Sequence, residues 1–470
     1  MRTRLPAVAA IAFVAMVALS AQNAPRDVDL IVTGGTVVTV DAAGRIIENG
    51  AVAIDGADIA AVDTAAAIAK QFRGRATIDA SDQIVLPGLI NTHTHAPMVL
   101  YRGLADDLPL MEWLNNYIFP AESKTVSPEF VRAGTRLAAL EMIESGTTTF
   151  ADMYYFEEEI ARETRSAGLR GVLGQTVIQF PVADAKTPAD ALARAETFIN
   201  EFKGDPLITP AVAPHAIYTL DGPTLRAARE LSRRHDVPTL IHLAESRDET
   251  KVAEERRASS PVAYLEGLGF LGPGVVGAHG VWVSDTDIQV LKMRNVGISH
   301  NPESNMKTAS GGAPIQKYLR AGVSIGLGTD GAASNNDLDM FEAMRVAALL
   351  AKLESADPST LSARTVLEMA TIRGARALGM EGRIGSLEPR KRADLITVSV
   401  SGARQTPMYD PISHLVYVIH GDDVQNTMVN GKVLMRDRKV LTLDATAVIA
   451  EAQSWAAKVR VAVKPPGTSR

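Results

Sequence analysis

The sequence predicts an α/β protein, a (β/α)8 TIM-like barrel with a small β-sandwich domain formed from both termini. Three observations carry that prediction. Between residues 84 and 385, short apolar runs alternate with helical stretches, the texture of a parallel α/β architecture. Residues 28–62 and 393–434 read instead as short strands rich in Val, Ile and Thr and punctuated by turn residues. Six of the nine histidines fall at or just past the ends of apolar runs, where the mouth of such a barrel gathers its polar groups.

Taken in order, residues 1–25 read as a signal peptide. Arg2 and Arg4 make a basic start, an apolar run covers 7–19, and small residues stand at Ala18, Ser20 and Ala21, so cleavage is expected between residues 20 and 24. The run is shorter than the ~20 residues a membrane span needs, so no stable span is expected, and the mature chain is expected to be exported to a periplasmic or extracellular location. Residues 26–83 form the first part of the β-sandwich, with turns at Gly34-Gly35 and Asp41. The barrel occupies 84–385, with strands expected at 84–92, 147–152, 171–175, 208–214, 239–244, 275–278, 296–299 and 323–328. Its clearest helix covers 127–145: Ser127 suits the N-cap, Pro128 the first helical position and Gly146 the stop. Residues 386–443 return to the β-sandwich, with a strand at 393–400 and another at 426–434 turning at Asn430-Gly431. Residues 444–470 are a closing helix, capped by Asp444, and a frayed tail.

Composition narrows the chemistry. A net charge of -6 without a basic stripe argues against nucleic acid as a partner. With no cysteine, neither a disulfide nor a thiolate metal site can form, and any metal must sit on His, Asp or Glu. A chain of 470 residues is long enough to bury a sufficient core without disulfides, even in an exported protein.

The histidines supply the site. His93 and His95 end the first barrel strand, and residues i and i+2 of a strand face the same way, so both imidazoles can reach one ion. His242 lies on the fifth strand, and Asp330 ends the eighth in Gly328-Thr329-Asp330-Gly331. Three histidines and one aspartate suit a single divalent metal, zinc first, with iron or manganese as alternatives. Glu245, three residues beyond His242, is placed to act as a general acid or base, against the simpler reading of a solvated salt bridge to Arg247 or Lys251. His279, ending the sixth strand, is placed to orient the attacking water together with Asp330. Two-metal barrel hydrolases commonly bridge their ions through a lysine or carboxylate on the fourth strand. Here that strand ends in Pro214-His215-Ala216, which implies one metal and leaves His215 for substrate. Residues 106–114 are expected to form a loop or short helix over the mouth, covering substrate or meeting a second subunit in a homo-oligomer.

These residues resemble the amidohydrolase superfamily and, within it, the 5-methylthioadenosine/S-adenosylhomocysteine deaminase group. Residues 87–95, Pro-Gly-Leu-Ile-Asn-Thr-His-Thr-His, look like the opening motif of that group. Residues 326–336 look like its closing motif, and Ala393-Asp394-Leu395 resembles the strand that re-enters the small β domain. The resemblance covers nearly everything after residue 25. It implies metal ligands at His93, His95, His242 and Asp330, and substrate contacts at Glu122, which would hold ribose hydroxyls, and at His215. His300 lies in a further matching segment, residues 299–305. In one respect the chain departs from the pattern: residues 174–181, where group members carry arginines toward the tail of a nucleoside substrate, contain none.

The implied activity is a metal-dependent aminohydrolase acting on a small nitrogen heterocycle, purine-like or adenosine-derived, with release of ammonia. Glu245 would protonate a ring nitrogen as water adds to the carbon bearing the amino group. Two other readings fit the same scaffold: a hydrolase of a cyclic amide or substituted triazine, and a non-catalytic secreted metal- or ligand-binding protein.

Overall fold

The computed structural model describes residues 24–463. Residues 1–23 of the expected signal peptide and residues 464–470 of the tail lie outside the described residues. Among the described residues no helix is long and apolar enough to cross a membrane.

The chain builds two sheets. The first collects strands from both ends: β1 (Arg26–Val38), β2 (Ile46–Asp55), β3 (Asp58–Thr64), β4 (Phe72–Asp79) and β5 (Gln83–Pro87). The second is the barrel, eight parallel strands paired in sequence order: β6 (Leu89–Thr94), β7 (Thr147–Tyr154), β8 (Arg170–Val177), β9 (Ile208–Pro214), β10 (Thr239–Leu243), β11 (Val275–His279), β12 (Gly297–His300) and β13 (Ser324–Leu327). The chain then returns to the first sheet with β14 (Leu395–Ser399), β15 (Val424–Val429), β16 (Lys432–Arg436) and β17 (Lys439–Val440). The result is an α/β barrel with a nine-stranded mixed sheet drawn from both termini.

The run 84–92 is two strands in two sheets. Ile84–Leu86 pairs with β14 in the terminal sheet, Pro87 ends that strand, and the barrel begins at Leu89. Gly88 makes the crossing, because a side chain there would meet Thr148 at 2.2 Å. The Gly34-Gly35 pair is likewise a β-bulge inside β1, where the sequence suggests a turn. Gly34 has φ 92°, and the bulge falls where β1 changes partner, from β4 (Thr33 opposite Asp79) to β5 (Thr36 opposite Ile84). An extra residue and a local bend let one strand serve two neighbours.

The barrel core follows the period of two. Along β7 to β10, Ala151, Val172, Ala211, Ala213 and Leu240 pack in an inner cluster. Their chain neighbours Phe150, Leu173, Val212 and Ile241 pack outward with the surrounding helices. Ala375, Leu378 and Met380, from the helix Ile372–Ala377 and just beyond, join the inner cluster near Ile90 at the start of β6. The helix Pro128–Ser145 forms as read: Ser127 Oγ accepts from Phe130 N at 3.3 Å, and Gly146 closes it at φ 87°. Asp444 caps Ala445–Ala462 in the same way.

Two polar assemblies hold the parts in register. The seam between β6 and β13 is bridged by side chains of the opening motif. Thr92 Oγ1 donates to Leu327 O at 2.8 Å, and Asn91 both donates to Thr329 Oγ1 at 2.7 Å and accepts from Thr329 N at 3.1 Å. Asp330 N then donates to His93 O at 3.0 Å, which sets Asp330 beside His93. At the opposite end of β8, Arg170 is fully buried and grips Asp394 through Nε at 2.9 Å and Nη2 at 3.2 Å, while Asn430 N donates to the same carboxylate. This ion pair joins the barrel to the terminal sheet, and it occupies Arg170 far from the mouth.

Candidate metal centre and active site

His93, His95, His242, His279 and Asp330 converge at the C-terminal mouth of the barrel. The Nε2 atoms of His93 and His95 each lie 3.3 Å from Asp330 Oδ1, and those of His95 and His242 lie 3.3 Å apart. The donor atoms form two overlapping sets, His93–His95–His242 and His93–His279–Asp330, each within 4.8 Å.

The tautomers follow from the outer partners. His95 Nδ1 meets the Met153 carbonyl at 2.7 Å, His242 Nδ1 the His215 carbonyl at 2.9 Å, and His279 Nδ1 the Asn305 Oδ1 at 2.9 Å. Each partner oxygen only accepts, so each Nδ1 carries the proton and each Nε2 presents a lone pair to the centre. Two lone pairs 3.3 Å apart repel unless a proton or a cation lies between them. The Nε2 atoms of His93 and His279 are buried and have no protein hydrogen-bond partner. Buried polar atoms normally have partners, so these four nitrogens and Asp330 fit a metal ion. Burial drives His93 down to about 4 and His242 well below its ordinary range, keeping both rings neutral as ligands must be. His95 is less deeply buried, and Asp330 and Asp152 outweigh its burial and raise it to about 9, a proton that a cation at the same place would displace. Asp330 is held well below the carboxylate range, because burial is overcome by His93 and His95. Its Oδ2 accepts from Ser304 Oγ at 2.6 Å and Ser334 Oγ at 3.0 Å, so the carboxylate is fixed from behind.

Glu245 follows β10 and is buried, with Oε2 3.8 Å from His279 Nε2. Burial, helped by Asp330, pushes it up to about 8. Neither cation once available to it is engaged there. Arg247 stacks on Trp282 with its guanidinium 4.1 Å from the ring centre, and Lys251 pairs with Asp248 at 2.7 Å. Glu249, on the next helix, fixes the turn instead, accepting from Glu245 N at 2.7 Å and Ala244 N at 3.0 Å. Both His279 (φ 75°) and Asp330 (φ 63°) sit in the left-handed region at their strand ends, a strain that re-aims their side chains.

The remaining predicted residues divide. His215 lines the pocket, its Nδ1 3.0 Å from Thr219 Oγ1 and its ring 4.7 Å from that of His242. Glu122, on the helix Phe119–Thr125, accepts from Tyr154 Oη at 2.7 Å, and burial raises it to about 7. His300 does not reach the pocket: it is buried at the end of β12, outside the lining, and burial lowers it to about 3. The segment over the mouth is helical from Leu110, and Leu110, Trp113, Leu114 and Phe119 cover a pocket of about 580 Å³ that reaches the histidines and Glu245. Ser304, Asn305, Ser334, Glu249 and Tyr154 were missed as site residues. Ser304, Asn305 and Ser334 lie inside the motifs already singled out, whereas Glu249 and Tyr154 carry no local signal.

A barrel with imidazoles and a carboxylate converging at its mouth, next to a buried protonatable glutamate, defines a metal-dependent hydrolase. The chain belongs to the amidohydrolase family, whose profile matches residues 84–434. It is 44% identical over 441 residues to the 5-methylthioadenosine/S-adenosylhomocysteine deaminase 1 of Syntrophus aciditrophicus, covering 94% of this chain and 100% of the relative. It is 45% identical to the 5'-deoxyadenosine deaminase of Methanosarcina barkeri, covering 91% and 98%. Among solved structures, an adenosine deaminase from Xanthomonas campestris with bound zinc superposes with a TM-score of 0.91 at 38% identity, covering 93% of this chain and 100% of that one.

Proposed function

We propose that this chain is an aminohydrolase that removes the ring amino group of an adenosine-derived nucleoside, using one divalent metal, zinc first. The observation that carries the reading is the placement of Glu245, an acid still protonated near neutral pH, 3.8 Å from His279 at the edge of the metal centre. The names of the two curated relatives above, both deaminases of adenosine derivatives, support the same choice. His93, His95, His242 and Asp330 would hold the ion, which when bound supplies the Lewis acidity that makes water nucleophilic near pH 7.

The residues of the chain do the rest. Glu245 carries the proton needed by the ring nitrogen beside the amino-bearing carbon, and its transfer favours addition of water there. His279, locked as the Nδ1–H tautomer by Asn305, offers Nε2 toward the attacked face. Glu122 accepts the ribose hydroxyls, and His215 flanks the ring. Leu110, Trp113 and Leu114 exclude bulk water, which keeps the Glu245 proton from exchanging unproductively. The test is ammonia release by the metal-analysed protein from adenosine, 5'-deoxyadenosine and 5-methylthioadenosine. Release at one metal per chain is expected, and silence on all three with metal bound would sink the reading. Export is part of the same proposal and rests on Arg2, Arg4 and the apolar run 7–19. N-terminal sequencing of the exported protein should find a start between residues 21 and 25.

A further inference from the structure

Beside the metal pocket, beyond Glu122, lies a second cleft of about 280 Å³, lined by Phe119, Tyr155, Phe180, Pro181, Val182 and Ala183, with Glu122 and Ser123 as its polar edge. Phe119, Glu122 and Tyr155 line both spaces, so the two adjoin at the carboxylate that would hold the ribose. Phe180 stacks edge-on against Phe119, with ring centres 5.3 Å apart at 70°. It is nonetheless 39% exposed, so an apolar surface is left open at the rim.

No cation lines this cleft. Lys124, on the Phe119–Thr125 helix, donates to Ala462 O at 3.1 Å. Arg194 pairs with Glu158 at 2.6 Å and lies over the Phe156 ring. The one carboxylate in the lining is Glu122, which repels an anion. Resting on the aminohydrolase reading above, we propose that this cleft takes the 5' substituent of the nucleoside and selects one that is short and uncharged. A 5' hydrogen or methylthio group buries apolar surface against Phe119 and Phe180. A zwitterionic amino-acid tail must give up the hydration of its carboxylate with no partner in return.

Selection is read as binding to the zinc-loaded Glu245→Gln full chain by calorimetry, with 5-methylthioadenosine and S-adenosylhomocysteine as probes. 5-Methylthioadenosine should bind at least about tenfold more tightly, the scale of one uncompensated polar group. S-Adenosylhomocysteine binding within tenfold of it, or more tightly, overturns the proposal. In a second variant, Phe180→Ala, affinity for 5-methylthioadenosine should fall severalfold while that for adenosine changes less than twofold. Equal losses for both ligands would show that Phe180 does not meet the substituent. Wild-type ammonia release is measured alongside. Silence there with tight 5-methylthioadenosine binding strikes the deamination reading alone, whereas equal binding of the two probes strikes the cleft alone. If none of the nucleosides binds, both fall.

Discussion

Glu245 and Glu122 are both buried carboxyls, yet their neighbours give them different duties. Glu245 is pushed to about 8 by burial and Asp330, so it holds a proton across the neutral range. Glu245→Gln should keep one metal per chain and lower kcat by about 10²–10⁴-fold, the usual worth of a placed proton donor, as read by metal analysis and ammonia release. Glu122 is raised to about 7 by burial, against the pull of Tyr154 and His95. It serves as an acceptor only when ionised, so the sign is fixed: kcat/KM for a nucleoside should rise by up to about tenfold per pH unit below pH 7 and level off above it. Glu122→Gln should be weaker and flat over the same window, and an unchanged pH profile in that variant would remove Glu122 from ribose binding. At this scale the ligand set was legible because histidine is rare in the chain and its positions coincide with strand ends, so His93, His95 and His242 announced themselves. The partners that fix their tautomers were not, because Met153 O and His215 O are backbone groups brought close only by the closed barrel. His300 shows the converse: it shares the strand-end position, but its ring packs outside the pocket.

Among the elements, the eight barrel strands and the helix Pro128–Ser145 were legible, the helix because Ser127, Pro128 and Gly146 bound it without tertiary help. Continuity was not. Residues 84–92 carry one unbroken apolar signal, and only the pairing of β5 with β14 divides them between two sheets. Gly34-Gly35 carries the composition of a turn, and only the choice between β4 and β5 makes it a bulge. Arg170 illustrates the same limit: its position before a strand says nothing of a partner more than two hundred residues away. Because Arg170 and Asp394 are both buried, removing one leaves the other charge unpaired. Asp394→Ala should therefore cost about 3–5 kcal/mol in denaturant unfolding, while pairing it with Arg170→Leu should recover part of the loss. A double variant no more stable than the single one would mean that the bond from Asn430 N, rather than the ion pair, carries the joint.

For the molecule as a whole, the metal ligands tie together β6, β10 and the loop after β13, so a bound ion clamps strands on opposite sides of the barrel. Zinc at about a thousand times its dissociation constant should add about 4 kcal/mol of stability over the chelated protein, read as a rise in Tm that zinc restores after chelation. An unchanged Tm on chelation would place the ion elsewhere. The terminal sheet has a different kind of closure. β5 lies between β1 from the start of the chain and β14 from beyond the barrel, with Val85 opposite Thr397. At about 5–20 residues per second, a ribosome delivers β14 some tens of seconds after β5, roughly 300 residues later. Throughout that interval β5 offers a bare strand edge, with Ile84 and Leu86 on it, to whatever binds nascent chains. The far end of the polypeptide thus works as a clasp, one that can fasten only after the barrel between its two halves has been made.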